Sequence, residues 1–220
     1  MYNRSPYAYP ITEGVTGSLM GKTLGVLVLL LVISAVSVGF APALGAAGMW
    51  IGFAGALVGT IMVSRRVNRA GAALVWGIVV AIGMGLIAAP FIWQVALTNP
   101  GLLASSFGVL LLAIATSAAL VWWLPWDFSR MMPLLFLGLL MLLVTGLLSW
   151  VVPGMAGVAL SKTYNLIGVL VFIGYLIADF SLMRVRGRTV PAAGAPVMLA
   201  VALLVDIINL FLFILRLGRN

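Results

Sequence analysis

Seven apolar runs of membrane-crossing length follow one another along this chain, at 22–40, 45–63, 71–93, 102–124, 132–152, 159–183 and 193–215. A helix needs about 20 apolar residues to cross a hydrocarbon core roughly 30 Å thick. Turn-forming residues separate the runs: Ala41-Pro42, 64–70, Thr98-Asn99-Pro100-Gly101, Pro125-Trp126-Asp127, Pro153-Gly154 and 184–191. The sequence is 64% hydrophobic and 7% charged, whereas soluble domains use about 25% charged residues. Twelve basic and four acidic side chains could not cover the surface of a soluble fold of this length. The same numbers exclude disorder, which needs low hydrophobicity and high charge. The runs do not alternate polar with apolar residues, so a membrane barrel is excluded too. The fold class expected is all-α: a helical membrane bundle, with 1–21 as a polar cytoplasmic tail and 22–220 as a single transmembrane domain. The first run is read as a retained helix, because no basic segment or cleavage site marks a signal peptide.

The net charge is +8, but the basic residues fall between apolar runs and form no stripe for nucleic acid. They are topology signals and contacts for anionic lipid. An inner N-terminus puts Arg4, Lys22, Arg65, Arg66, Arg69, Arg130, Arg184, Arg186 and Arg188 on the inner side and Lys162, Arg216 and Arg219 on the outer, nine against three. Seven full crossings leave the C-terminus outside. A re-entrant last run would bring Arg216 and Arg219 inside, and the sequence leaves both open. Trp93, Trp122, Trp123, Trp126 and Trp150 lie near run ends, as interfacial aromatics do. Gly48-x-x-x-Gly52 and Gly55-x-x-x-Gly59 suit close helix packing. Without cysteine there is no disulfide or thiol chemistry, and without histidine the usual general base and commonest metal ligand are missing. Zinc centres and Ser-His-Asp hydrolysis are excluded, and no cofactor is expected.

Two of the four acids, Asp179 and Asp206, lie inside apolar runs. An ionised aspartate at the bilayer centre costs roughly 2.5–3.5 kcal/mol on insertion scales, so such residues face the bundle interior and take a partner. These two sit 27 positions apart on consecutive runs, about 13 residues from a turn near 191–194. At 1.5 Å per residue both are roughly 20 Å up their own arm, so an antiparallel hairpin puts them at one depth. Two carboxyls close together in a poor dielectric cannot both ionise readily, and they share a proton. Their oxygens suit a hard cation such as Ca²⁺, though two carboxylates fall far short of the six to eight oxygens of a tight site. Passage, not storage, is expected. The plainer alternative is a protonated pair that only ties two helices together. Tyr175 lies one turn from Asp179, and Asn209 follows Asp206 by three, continuing to Phe213 and Arg216; Asn209 could equally serve interhelical hydrogen bonding. Arg65 and Arg66 close the second run. They are either inner-side anchors or a charge latch that swings onto the pair. Glu13 and Asp127, the latter beside Arg130, read as solvated charges.

The last run, Ala202-Leu203-Leu204-Val205-Asp206-Ile207-Ile208-Asn209-Leu210-Phe211-Leu212-Phe213-Ile214-Leu215-Arg216, resembles the C-terminal signature of the transmembrane Bax inhibitor motif family. The family's second acid is matched by Asp179 after 171–178. The resemblance implies six helices around a central C-terminal seventh and a pH-sensitive Ca²⁺ leak. It implies that Asp179 and Asp206 form the proton sensor and that an arginine, here Arg65, is the gating latch. Ala178 and Leu204 stand where the family carries tyrosines, and the region around Ala54 lacks an acid that some bacterial members have. The function expected is therefore a calcium-permeable leak channel, not an enzyme, with the lipid bilayer, Ca²⁺ and H⁺ as partners, in a bacterial inner membrane. The alternative is a non-conducting regulator of a membrane protease or of stress survival, docking through the tail 1–21. An intramembrane aspartyl protease also uses two acids on adjacent helices, but its Gly-x-Gly-Asp context is replaced here by Leu203-Leu204-Val205 before Asp206.

Overall fold

The computed structural model describes residues 13–124, 126–155, 157–186 and 192–219, without the side chains of 13–18, Trp150 and Arg186. The tail to residue 12 with Arg4, the side chains of Glu13, Trp150 and Arg186, and Arg188 and Pro191 lie outside the described residues. Among these, the long elements are α1 (Glu13–Arg65), α2 (Ala70–Thr98), α3 (Pro100–Trp123), α4 (Met132–Val151), α5 (Lys162–Arg186) and α6 (Ala195–Arg219), with short 3₁₀ turns on either side of α4. Six described helices are long and apolar enough to cross a membrane.

The first of them is too long for one crossing. Its apolar part, Leu19–Arg65, has 47 residues, or about 70 Å of helix. It is interrupted at Gly45, whose φ of 55° and ψ of −145° are not helical and are open essentially to glycine alone. Pro42, just before, has no N–H for the helical ladder. The two arms then run along α2 in opposite senses. In the first, Leu30 lies at Gly77, the Ser37 hydroxyl donates to the Ile82 carbonyl at 3.2 Å, and the Trp93 indole donates to the Val38 carbonyl at 2.9 Å. In the second, Gly52 meets Gly83 and Gly59 meets Trp76 and Val80. Gly45 is thus the corner of a hairpin, and the sequence reading of two separate runs, 22–40 and 45–63, corresponds to its arms. The break falls three residues later than the Ala41-Pro42 punctuation suggested: the Val38 carbonyl that Pro42 leaves without a helical N–H is taken by the Trp93 indole, and the corner itself needs glycine.

Small residues make the second arm's contact possible. A Cβ at Gly52 would stand 2.7 Å from the Gly83 carbonyl, and one at Gly83 would stand 2.5 Å from the Gly52 carbonyl. Gly55 and Gly59 also face α2, whereas Gly48 packs on Leu44 and Ala41 just across the corner. The buried stripe of the first arm, Leu19, Thr23, Leu27, Leu30, Ser34, Ser37 and Ala41, repeats every three or four residues as one packed helix face requires.

The most enclosed helix is α6 and the most exposed to its surroundings is α4. α6 packs against α1, α2, α3 and α5. It runs unbroken from one end of the bundle to the other, where Arg219 donates to the Gln94 side chain at 2.9 Å. Its 25 residues are long and apolar enough to cross a membrane without a break. Among the described residues, the two ends divide the basic positions as the charge count anticipated. One end gathers Lys22, 65–69, Arg130 and Arg184, held together where the Gly194 N–H donates to the Val67 carbonyl at 2.7 Å and Arg184 reaches the end of α3. The opposite end gathers Lys162, Arg216 and Arg219. Trp93, Trp122, Trp123 and Trp126 are exposed near the helix ends, where indoles suit a membrane interface.

Candidate functional site

The α5–α6 hairpin holds the two intramembrane acids. Asp179 is 4% exposed and Asp206 7% exposed, and their side chains hydrogen-bond each other. The depth argument therefore holds, and both helices are also rotated to bring the acids together. The same register continues outward. Phe172 and Phe213, seven positions further along each arm in opposite senses, stack with centroids 5.7 Å apart. Ionised carboxylates only accept hydrogen bonds. A carboxyl–carboxyl hydrogen bond therefore requires one proton between the two groups.

Tyr175 lies within electrostatic reach of both acids and packs on Phe172, centroids 6.0 Å apart. Asn209 behaves differently from the interhelical role considered for it: its amide donates to the Val205 carbonyl of its own helix at 2.9 Å. Toward the opposite end the pair is covered by an aromatic layer. Phe213 lies between Phe172 and Tyr164, and Gly168 leaves room for its ring. The Arg216 guanidinium then sits 5.1 Å from the Phe91 ring centre and 5.9 Å from that of Phe213, in cation–π range. Composition gave no hint of this layer beyond the Phe213–Arg216 stripe.

Arg65 is exposed at the basic end, and among the described residues no ion pair joins it to either acid. The reason is distance along the bundle. The loop after it is fastened at Val67 to Gly194, twelve residues below Asp206 on α6, or about 18 Å. Arg66 is exposed beside it. Arg184 is more than an anchor: its guanidinium donates to the carbonyls of Val121, Leu124 and Trp126, closing the carbonyl end of α3 with a positive charge. Ser181, two positions after Asp179 along α5 and fully buried, accepts the Phe128 N–H at 3.0 Å. Together these bonds clamp the α3–α4 connection to α5. Sequence alone could not pair Arg184 with carbonyls 58 to 63 positions away. Asp127 accepts from the Ser129 hydroxyl and N–H and lies 3.7 Å from Arg130. The Ser129 hydrogen bond holds its carboxyl below the usual range, with Arg130 adding to the effect.

As a cation site the arrangement is sparse. Among the described residues no group of three or more His, Cys, Asp or Glu side chains comes together, so the pair offers at most two carboxylates to a passing ion.

A family model described as "Inhibitor of apoptosis-promoting Bax1" matches residues 16–219. No curated protein matches the chain.

Proposed function

The chain belongs to the Bax inhibitor-1 family, and from that premise we propose that it is a pH-sensitive, calcium-permeable leak of the membrane, gated by protonation of Asp179 and Asp206. The observation that carries the reading is the buried hydrogen bond between these two acids on adjacent helices. With one proton shared, α5 and α6 stay joined, and the Phe172–Phe213 stack closes the way toward the opposite end. Loss of that proton leaves two negative charges in contact in a poor dielectric. Their repulsion separates the helices and presents both carboxylates to Ca²⁺. Ca²⁺ is the transported ion and not a resident cofactor, since six to eight oxygens are needed for tight binding.

In this reading the protein crosses the membrane seven times, counting both arms of α1, with α6 enclosed by the others and the N-terminus cytoplasmic in a bacterial inner membrane. Among the described residues Arg65 makes no latch contact in this closed arrangement, and its gating role belongs to a rearranged state. No catalytic step is assigned.

The test is Ca²⁺ flux through purified protein in liposomes, scanned over pH. The wild type is expected to conduct more as pH rises. Asp179→Asn and Asp206→Asn are each expected to flatten that dependence. Unchanged pH dependence in both variants removes the mechanism, and a folded wild type without flux at any pH favours the non-conducting regulator.

A further inference from the structure

A cavity lies between the acid pair and the basic end. Met20 of α1, Ala118 and Val121 of α3, and Phe180, Met183 and Arg184 of α5 line a cavity of about 260 Å³. A water molecule occupies about 30 Å³ of liquid, so several fit. Each of the three lining helices carries a polar side chain one turn deeper than its lining residue, on nearly the same face: Thr23 beyond Met20, Ser117 beyond Val121, and Asp179 beyond Met183. α3 and α5 run side by side from the opposite end to the basic end, and Arg184 meets the carbonyls of 121 and 124. The same offset sets Ser117 level with Asp179.

Thr23 is fully buried and Ser117 is 2% exposed, and among the described residues neither hydroxyl has a hydrogen-bond partner. Elsewhere in this chain helical hydroxyls bond back to their own helix, as Thr60 does to Ala56, Thr98 to Gln94 and Thr116 to Leu112, each at 2.8 Å. A buried hydroxyl without a partner costs free energy, and water is the usual partner of such groups in a polar, roomy site. A wholly apolar cavity would stay dry. This one has the Arg184 guanidinium on its wall, and two unpaired hydroxyls and the Asp179 carboxyl follow one helical turn beyond its lining residues.

We propose that this cavity is a hydrated antechamber, in which water held by Thr23 Oγ1 and Ser117 Oγ carries protons between the basic end and Asp179. The proposal rests on the reading of the acid pair as the titrating switch and adds its route and its side. The other charged or polar groups facing this path are Asp206 of α6, Tyr175 and Arg184 of α5, and Lys22, exposed on α1; α3 has no charged residue between Pro100 and Trp123. Proton exchange is therefore confined to the basic end, because the Phe172–Phe213 layer lies on the other side of the pair.

The absence of cysteine provides a direct test, since each introduced thiol is the only one. Ser117→Cys and Ala118→Cys in the full chain in liposomes are treated with a charged, water-soluble methanethiosulfonate reagent from the basic-end side. Asn68→Cys in the adjacent loop is the positive control and the exposed helix position Leu134→Cys the negative one. Modification of both cavity thiols at a rate well above that of Leu134→Cys supports a wet path. No modification while Asn68→Cys reacts to completion overturns it. The second measurement is the Ca²⁺ flux response after a pH step on the basic-end side. Thr23→Val with Ser117→Ala is expected to slow the response several-fold while leaving its final level unchanged; an unslowed response overturns the route. Wild type lacking any pH response refutes the switch itself, whereas the thiol result judges the water path independently.

Discussion

Around Gly45 the second arm of α1 lies on α2 through Gly52, Gly55, Gly59 and Gly83, backbone against backbone, whereas at the other end of the chain α5 and α6 meet through two acids and a stack of aromatic rings. In lipid there is no hydrophobic force to bring helices together, so association depends on close packing and on polar contacts. The second arm's contact with α2 rests on shape. It tolerates no added volume, and it contains nothing that titrates. The α5–α6 contact uses two titratable side chains and a stack of rings. The molecule thus separates a close-packed backbone contact from one built on titratable and aromatic side chains.

The largest expected effect attacks the scaffold. At Gly83 a methyl group would press on the Gly52 carbonyl and the Ala56 N–H, both backbone, whereas at Gly168 it would press on the Phe213 ring. Gly83→Ala is expected to destabilise by about 3 kcal/mol and Gly168→Ala by about 1 kcal/mol, read as unfolding in a denaturing detergent titration. Equal losses would erase the contrast between the hairpins. Next comes the pair. Removing one partner of a buried polar contact costs more than replacing both, so Asp179→Leu or Asp206→Leu alone should lose about 2 kcal/mol. The double variant should unfold no more readily than wild type and should show no pH response. A double variant less stable than either single one would mean that the acids are structural ties and not a switch.

The smallest effect lies at the collar where α5 holds the α3–α4 connection. The Asp127 carboxyl is held below its ordinary value of 3.8. A depressed acid contributes stability that is fully present above its unfolded value and is lost as pH falls through the folded one. Asp127→Asn should therefore lower the melting temperature slightly at neutral pH, and the difference from wild type should shrink below pH 3.8. Because the group is exposed, solvent screening keeps the effect small. A difference that grows on acidification would contradict the assignment.

Much of the scaffold was legible because it follows from spacing. Equal distances of Asp179 and Asp206 from the turn fixed their shared depth, and the same register brings Phe172 to Phe213. The partition of basic residues between the two ends also followed from where they interrupt the apolar runs. What could not be read were features that depend on rotation and reach. Helices apolar all round give no moment from which a facing side can be inferred, so Asn209 bonding its own helix and the aromatic layer were hidden. Arg65 and Arg184 are both arginines at a helix end. Only coordinates distinguish the one left exposed from the one that grips three carbonyls.

The position of α6 inside the bundle bears on how the protein is made. Synthesis delivers Asp179 to the bilayer on α5 before Asp206 exists to meet it, so the first acid waits with a proton or with water until the innermost helix arrives. The meeting of the two acids and the completion of the bundle are then one event, and a chain stalled before α6 leaves a lone intramembrane carboxyl.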